Sequence, residues 1–349
     1  MKTLPDFNFK NKRVLVRCDF NVPLSGQGEI LDDFRIKQTI PTIEYLIKKE
    51  AKVILMSHLG RPEGKVVEGL RLTPIQEKLM EYLDLSVTKA PDCVGKEVEE
   101  WVREMEPGEI LLLENLRFHK EEEKGEENFT KNLAKLGDIF INEAFSVCHR
   151  SQASVVGITK YLPSGAGFLL EKEIEILSQI IKNPERPLIV IIGGSKVKDK
   201  AKVIGKFLEI GDWILVGNLV AKEIREKEMT MKNLEKIIFP VLNGQILDLD
   251  KKTIENFKEK IKMAKTIFWA GPLGKIEEKK YQKGTREIAR AIIKSRAFSV
   301  VGGGDTIEFL NKAKVIEKFN HISTGGSALL EFLAEEKLPG IEALEKWQK

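Results

Sequence analysis

The chain has 349 residues, of which 42% are hydrophobic and 32% charged, a composition typical of a soluble globular protein. At roughly 100–200 residues per domain, this length favours two domains over one. The 57 basic and 53 acidic residues are interleaved and leave a net charge of only +4, so the charge balance argues against a nucleic-acid partner.

The cysteines and the apolar runs indicate the compartment. The cysteines are odd in number and lack metal-ligand spacing, which predicts free thiols in a reducing compartment; they are Cys18, Cys93 and Cys148. The N-terminus lacks the apolar core of a signal peptide, and no run reaches the ~20 apolar residues of a membrane span. We therefore expect a cytoplasmic protein with no membrane partner. Mixed-sign stretches such as residues 120–127 are interpreted as solvated surface.

Short apolar runs alternate with helical patterns in the first half, which is typical of βαβ units around a parallel sheet. The predicted strands lie near residues 13–18, 52–57, 110–114 and 138–142. A helix is predicted over 35–49, bent by Pro41, and a second begins at Thr73-Pro74, where a capping residue precedes proline.

The second half repeats this alternation. Strands are predicted near residues 187–192, 212–216, 266–269 and 298–301, and helices at 172–182, 198–208, 253–263 and 285–295. The run 168–181 follows a glycine-rich segment and is interpreted as an interdomain helix. The tail from residue 328 is predicted to be helical, with a break at 338–340. We therefore expect an α/β fold with parallel sheets.

In the first half, arginines stand at or near the predicted strand ends. Ligands of parallel sheets bind beyond the carboxyl ends of the strands, and a guanidinium fork binds carboxylate or phosphate bidentately. Together these arginines would clamp a small polyanion, although each alone could be a surface ion pair; they are Arg17, Arg35, Arg61, Arg117 and Arg150. Asp19 and Asn21 could contact a substrate hydroxyl, whereas His58 and His149 could be ligand contacts or satisfied core histidines.

In the second half, the strand ends carry glycine, lysine and aspartate. Residues 193–200 open a helix after a strand, and Lys196 and Lys200 lie four apart on one helical face, so this loop could bind phosphate. It is not a Walker A loop, and a glycine turn with two solvated lysines is the alternative. Residues 302–306 place Asp305 where it could hold Mg²⁺ beside phosphates, or form a tight N-cap.

Taken together, these motifs resemble those of phosphoglycerate kinases. The resemblance is carried in chain order by residues 13–23 (RVLVRCDFNVP), 57–62, 112–118, 193–200, 268–274, 301–306 and 321–326. It implies two Rossmann-like domains whose parallel sheets face each other across a hinged cleft. Residues 1–165 would bind 3-phosphoglycerate or 1,3-bisphosphoglycerate and residues 183–329 Mg-ADP or Mg-ATP, with an interdomain helix at 166–182. The tail, about 330–349, would pack on the N-terminal domain, and the hinges would be 163–172 and 323–324.

The resemblance also implies roles for individual residues. Substrate would be bound by Asp19, Asn21, Arg35, His58, Arg61, Arg117 and Arg150. Nucleotide would be bound by Gly193, Gly194, Lys196, Lys200, Gly217, Glu277, Gly302, Gly303, Gly304, Asp305 and Thr306. Asp305 would hold Mg²⁺, and Glu277 would meet the ribose. The catalytic contacts to the transferring phosphoryl group would come from Arg35, Lys200 and the helix starts at Gly303 and Gly325. A monomer is the family expectation.

Departures from the family pattern are concentrated in the nucleotide half. Asn218 follows Gly217 where a triple glycine is usual, and the chain is shortened before residue 246. Other replaced positions are Ala270 and Ser327 in the second half, and Glu143, Ser146 and Gln152 in the first. Two alternatives to an active kinase are a non-catalytic binding descendant and a dinucleotide dehydrogenase. The second lacks the expected Gly-x-Gly-x-x-Gly loop.

Overall fold

The computed structural model describes residues 1–195, 200–226, 232–241 and 247–347. The chain divides into one compact unit of Met1–Ile174 with Lys337–Lys349 and a second of Glu175–Glu336. The boundary falls inside the helix Phe168–Lys182. Among the described residues each unit contains a six-stranded parallel sheet, as the α/β prediction requires.

The first sheet has the strand order β3-β4-β2-β1-β5-β6. Its strands are β1 (Arg13–Arg17), β2 (Lys52–Met56), β3 (Val87–Lys89), β4 (Ile110–Leu112), β5 (Ile139–Asn142) and β6 (Ser164–Ala166). The helices of this unit are α1 (Phe34–Lys48), α2 (Thr73–Leu83), α3 (Lys96–Glu104), α4 (Lys120–Lys124), α5 (Glu127–Lys135) and the first part of α6 (Phe168–Lys182). The central strands β1 and β2 are apolar and almost wholly buried because helices cover parallel sheets on both faces.

The second sheet has the order β12-β11-β10-β7-β8-β9. Its strands are β7 (Leu188–Ile192), β8 (Trp213–Val216), β9 (Ile237–Ile238), β10 (Thr266–Ala270), β11 (Phe298–Gly302) and β12 (His321–Ile322). Helices in this unit are α7 (Ala201–Ile210), α8 (Asn218–Glu226), α9 (Lys251–Met263), α10 (Lys283–Ser295), α11 (Gly304–Lys312) and α12 (Ser327–Leu333). The last helix, α13 (Pro339–Lys346), belongs to the first unit, where the Gly340 N–H donates to the Cys148 carbonyl.

The eight predicted strands are confirmed, and the strands that sequence patterns missed are β3, β6, β9 and β12. Each of these four lies at an edge of its sheet and has only two or three residues. A strand of two or three residues is too short to produce the apolar run that marks a central strand. The helix predicted over 35–49 continues through Pro41, and the break at 338–340 separates α12 from α13. Residues 198–199 of the helix predicted at 198–208 lie outside the described residues.

Three further predictions concern thiols, surface and membrane. The cysteines are free, as predicted, and the structure shows that all of them are buried. The interpretation of residues 120–127 as solvated surface is wrong for Glu122, whose side chain on α4 is fully buried. Among the helices of the described ranges, none combines the length and apolarity that crossing a membrane requires.

Candidate functional site

Each sheet has a point where the chain changes direction, and the polar motifs follow the strands at that point. In the first sheet β1 and β5 are neighbours, while the chain leaves β1 for β2 on its other side. In the second sheet β7 and β10 have the same relationship. Loops leaving such a pair diverge and open a crevice at the carboxyl ends of the strands, where α/β proteins bind ligands.

After β1, Asp19 is the centre of a buried polar cluster. One carboxylate oxygen lies 2.8 Å from the Arg35 guanidinium and also accepts a hydrogen bond from Ser146, and the other accepts the Asn21 N–H. Burial alone would raise the pKa of Asp19, but Arg35, His58, Ser146 and the Asn21 N–H together lower it to about 2. The carboxylate is therefore charged and oriented before any ligand binds.

The same cluster fixes the loop after β2. The Asn21 side-chain carbonyl accepts the Gly60 N–H at 2.9 Å, and the Arg35 guanidinium donates to the Asn21 backbone carbonyl at 3.1 Å. Arg61, the next residue, is exposed. These contacts bring together Asp19, Asn21 and Arg35, with Arg61 beside them.

His58 lies in a strongly positive environment. Its Nδ1 is 3.2 Å from the Arg17 guanidinium, and both side chains are buried. Burial and the Arg17 charge hold the pKa of His58 well below its usual range, with smaller contributions in the same direction from Arg117 and Arg150 and an opposing one from Asp19. The imidazole is therefore neutral at neutral pH.

Arg117 is a buried cation with unused donors. One terminal nitrogen donates to the Gly60 carbonyl at 2.7 Å, but Nε and the other terminal nitrogen have no hydrogen-bond partner among the described residues. Glu123 lies 3.5 Å from Nε without forming a hydrogen bond. Burial and the charge of Arg150 lower the pKa of Arg117 to about 10, so the guanidinium stays charged. A phosphate or carboxylate ligand would satisfy these nitrogens.

Arg150 lies within the electrostatic reach of the same group. Its Nε donates to His149 Nε2 at 3.3 Å, and its charge depresses the pKa values of both Arg117 and His58. The sequence prediction therefore identified a real cluster of cations in the first unit. Arg17 was among the arginines predicted from the strand ends, although the resemblance gave it no role, and the contact of Ser146 with Asp19 was not predicted.

In the second unit, the crevice between β7 and β10 is lined by backbone. A Cβ on Gly193 would overlap the Gly271 and Pro272 carbonyls, and a Cβ on Gly271 would overlap the Gly193 carbonyl. The Gly194 N–H donates to the Pro272 carbonyl at 2.7 Å, and Gly194 has φ +79°. Only glycine allows these strand ends to approach so closely.

The side chains of Lys200 and Thr306 form hydrogen bonds with the backbone that lines this crevice. The Lys200 ammonium donates to the Gly193 carbonyl, and its side chain is largely buried. The Thr306 hydroxyl, fully buried, accepts the Gly271 N–H at 2.9 Å. Lys196 lies outside the described residues. The predicted lysine and threonine are thus placed on the same pair of glycine turns.

A cavity of about 500 Å³ opens at these turns. Its lining includes Gly194, Lys200, Gly303, Gly304, Asp305 and Thr306. Gly303 precedes α11 with φ +90°, so the first N–H groups of α11 lie beside the cavity, where they could bind an anion.

The remaining predicted glycines are placed differently. Gly302 ends β11 and packs on Leu329 instead of lining the cavity. Gly326 and Ser327 line the cavity, whereas the Gly325 N–H donates to the Ser323 hydroxyl.

The carboxylate of Asp305 fits a cation site. It is exposed in the first turn of α11, lines the cavity beside the glycine turns, and has no hydrogen bond or ion pair within the described part of the chain. Mg²⁺ is commonly held by one or two carboxylates together with substrate phosphates. The residues present therefore match a Mg-nucleotide.

An adjoining cavity of about 280 Å³ holds the remaining predicted nucleotide contacts. Gly217 and Glu277 line it, and it shares Gly194 and Asp305 with the larger cavity. Its other walls include Asn218, Leu219, Leu247 and Leu273. The departure at 217–218 thus falls on the wall of this cavity.

A separate cluster in the first unit has residue types that could bind metal. The ligand atoms of Asp92, Cys93 and His119 lie within 4.8 Å of one another. His119 Nε2 is 2.7 Å from an Asp92 oxygen that also accepts the Cys93 N–H, and this hydrogen bond raises the pKa of His119. We interpret the cluster as a structural Asp–His pair.

The family model for phosphoglycerate kinase matches residues 4–231 and 218–336. The phosphoglycerate kinase of Coprothermobacter proteolyticus is 42% identical over 387 residues, covering 99% of this chain and 98% of the relative. That of Borrelia garinii subsp. bavariensis is 42% identical over 392 residues, covering 99% and 100%. Both alignments are longer than the chain's 349 residues, so these relatives contain residues that the chain lacks.

Solved structures agree with the sequence relatives. Phosphoglycerate kinase from Coxiella burnetii matches with a TM-score of 0.83 at 33% identity, covering 100% of both chains. The enzyme from Pyrococcus horikoshii OT3 matches with a TM-score of 0.89 at 35% identity, covering 100% of this chain and 99% of the other. The chain belongs to the phosphoglycerate kinase family, the phosphotransferases whose glycolytic reaction moves a phosphoryl group between 1,3-bisphosphoglycerate and ADP.

Proposed function

We propose that the first unit binds the phosphoglycerate ligand and the second the Mg-nucleotide. The observation that carries the first assignment is Arg117, whose buried guanidinium keeps two nitrogens without a hydrogen-bond partner among the described residues, although Glu123 lies 3.5 Å from one of them. A buried cation next to Arg150 and Arg17 is costly, and an anionic ligand offsets that cost. We assign the ligand's charged groups to Arg117, Arg150 and Arg61, and its hydroxyl and carboxyl end to Asp19 and Asn21.

The second assignment rests on the cavity at the glycine turns. Lys200 and the N–H groups at the start of α11 supply positive charge and donors for nucleotide phosphates. Asp305 would hold Mg²⁺, which neutralises charge on the phosphates when bound. The smaller cavity, with Gly217 and Glu277, would receive the nucleoside.

The proposed reaction needs no general base. In the ATP-forming direction, a terminal phosphate oxygen of ADP attacks the acyl phosphorus, a new P–O bond forms, and the acyl C–O–P linkage breaks at phosphorus to leave a carboxylate. Nucleophile and leaving group are both already deprotonated near neutral pH. The protein therefore positions the ligands and stabilises charge on the phosphoryl group in flight, with Arg35 and Lys200 in that role.

Transfer requires that the two ligands meet. Because each is assigned to a different unit, the proposal includes a closing movement that brings the reacting atoms together and excludes water. The segments 163–172 and 323–324 are the proposed hinges. We further propose that the protein acts as a cytoplasmic monomer.

A turnover assay tests the proposal. Purified full-length protein should form ATP from 1,3-bisphosphoglycerate and Mg-ADP, with 1,3-bisphosphoglycerate generated in place by a coupled dehydrogenase and ATP read by luminescence. The assay should be repeated with GDP and other nucleoside diphosphates, because the family departures line the nucleoside cavity. Absence of turnover with every nucleoside diphosphate would reject the proposed kinase activity. Calorimetric binding of 3-phosphoglycerate without any nucleotide binding would then favour the non-catalytic descendant.

A further inference from the structure

Glu122 has a buried position that its charged neighbours in the sequence do not suggest. It lies on α4 between Glu121 and Glu123, yet its side chain is completely buried. One carboxylate oxygen accepts the Ser154 hydroxyl at 2.5 Å, and the other accepts the Ser154 N–H at 3.0 Å. Burying a carboxylate away from water is costly unless its oxygens are hydrogen-bonded, and here both oxygens accept hydrogen bonds from one residue. The contact is therefore a specific buried interaction.

Ser154 joins this carboxylate to Arg17. The Arg17 Nε–H donates to the Ser154 hydroxyl oxygen at 2.8 Å. A hydroxyl has one proton, which goes to Glu122, so its oxygen is free to accept from Arg17. Burial lowers the pKa of Arg17, and among neighbouring charges Glu122 makes the largest contribution against that effect. Glu122 is therefore the main counter-charge of Arg17, acting through a serine hydroxyl.

Arg17 in turn determines the protonation of His58. A guanidinium is only a donor, so His58 Nδ1, 3.2 Å from the Arg17 nitrogen, must accept. A neutral imidazole that accepts at Nδ1 carries its proton on Nε2. The second terminal nitrogen of Arg17 donates to the Cys18 carbonyl, so the guanidinium is held at three points.

We propose that Glu122 and Ser154 are positioning residues that orient Arg17 and, through it, hold His58 as the Nε2–H tautomer that serves the anion site. They act on the site indirectly, since neither contacts His58 in the structure's hydrogen-bond network. The tautomer is inferred from the hydrogen bond between Arg17 and His58 Nδ1 alone. The consequence for substrate binding rests on the proposed function.

Histidine ¹⁵N spectroscopy on the full chain tests the tautomer. The protein has four histidines, so comparison with His58→Gln identifies the His58 signals in long-range ¹H–¹⁵N spectra. The wild type should show protonated Nε2 and unprotonated Nδ1 at neutral pH. Ser154→Ala should shift the signals towards a mixture of tautomers, and Ser154→Thr, which keeps the hydroxyl, should restore them. Glu121→Gln, beside Glu122, is the matched control and should leave His58 unchanged.

Two results overturn the proposal. One is a wild-type His58 protonated on Nδ1, which needs no variant. The other is a Ser154→Ala protein with unchanged folding by circular dichroism and an unchanged His58 pattern. The effect on the anion site is tested by ligand binding. Ser154→Ala and Glu122→Gln should raise the dissociation constant of 3-phosphoglycerate about tenfold and leave that of the nucleotide unchanged. If His58 shows the expected tautomer but the protein has no kinase turnover, the positioning role of Glu122 and Ser154 is kept and only the proposed function is rejected.

Discussion

The Arg35 guanidinium lies 2.8 Å from the Asp19 carboxylate and also donates to the Asn21 carbonyl. The arginine assigned to the phosphoryl group is therefore part of an ion pair whose other member is buried and also bonded to Ser146. The pair orients the arginine before the ligand arrives, which reduces the entropy lost on binding.

Asp19 should give the protein part of its sensitivity to acid. Its folded-state pKa of about 2 lies below the unfolded value near 3.8, so its stabilising contribution is present above pH ~4 and is lost as the pH falls towards 2. We expect wild type to lose about 2 kcal/mol more unfolding free energy over this range than Asp19→Asn. Urea titrations at several pH values measure this difference. Asp84→Asn, which changes an exposed carboxylate, should follow the wild type.

Glu143 should have the opposite effect at higher pH. Burial raises its pKa to about 8, while the unfolded value is about 4.5, so the folded protein holds a proton that the unfolded chain has lost. The contribution of Glu143 to stability is therefore greatest below pH ~4.5 and is lost as the pH rises through 8. Glu143→Gln keeps the hydrogen bonds from Thr42 and Leu169 without the titration, and it should be more stable than wild type at pH 8 by up to several kcal/mol. Equal pH profiles for the two proteins would contradict this assignment.

Arg117→Met should separate binding from stability. The variant removes a buried cation with unused donors, so its thermal midpoint should stay within a few degrees of wild type. The KM for the phosphoglycerate substrate should rise about tenfold to hundredfold, as for the loss of a charge-assisted contact, while the nucleotide KM stays unchanged. Arg103→Met at the exposed end of α3 is the control. A larger effect on nucleotide than on phosphoglycerate would refute the placement of the anion site.

Lys200→Ala should affect the chemical step. Lys200 holds the Gly193 carbonyl beside the larger cavity, and its charge is assigned to the group in flight. We expect kcat to fall about a hundredfold or more and 3-phosphoglycerate affinity to change less than threefold. Lys206→Ala, which removes a lysine of α7 that pairs with Glu335, should retain activity. Parallel losses in kcat and glycerate affinity would be incompatible with the role.

Thr306→Val should loosen the glycine turns. It leaves the buried Gly271 N–H without its acceptor at a cost of about 1–3 kcal/mol, and nucleotide affinity should fall with it. Thr306→Ser keeps the hydroxyl and should retain both properties. Denaturant unfolding and nucleotide calorimetry on the two variants make the comparison. If valine and serine variants bind nucleotide equally well, the hydrogen bond has no part in shaping the site.

The candidate site could be predicted from the sequence because parallel sheets place strand ends together, and that rule favoured Asp19, Arg117 and the loop that carries Thr306. Which partner each side chain takes could not be predicted. Arg17 and Ser154 are 137 positions apart, and Glu122 and Ser154 are 32 apart, so no local pattern relates them. Glu122 was predicted to be solvated because its neighbours are charged, whereas its burial depends on tertiary packing of a five-residue helix.

The four edge strands, β3, β6, β9 and β12, also bear on how the protein behaves at high concentration. A long exposed strand edge is a template on which a second chain can extend the sheet and start aggregation. Here each edge strand ends after two or three residues, so each presents few backbone groups for intermolecular pairing. The features that made these strands hard to find in the sequence thus also protect both sheets from joining edge to edge in a crowded solution.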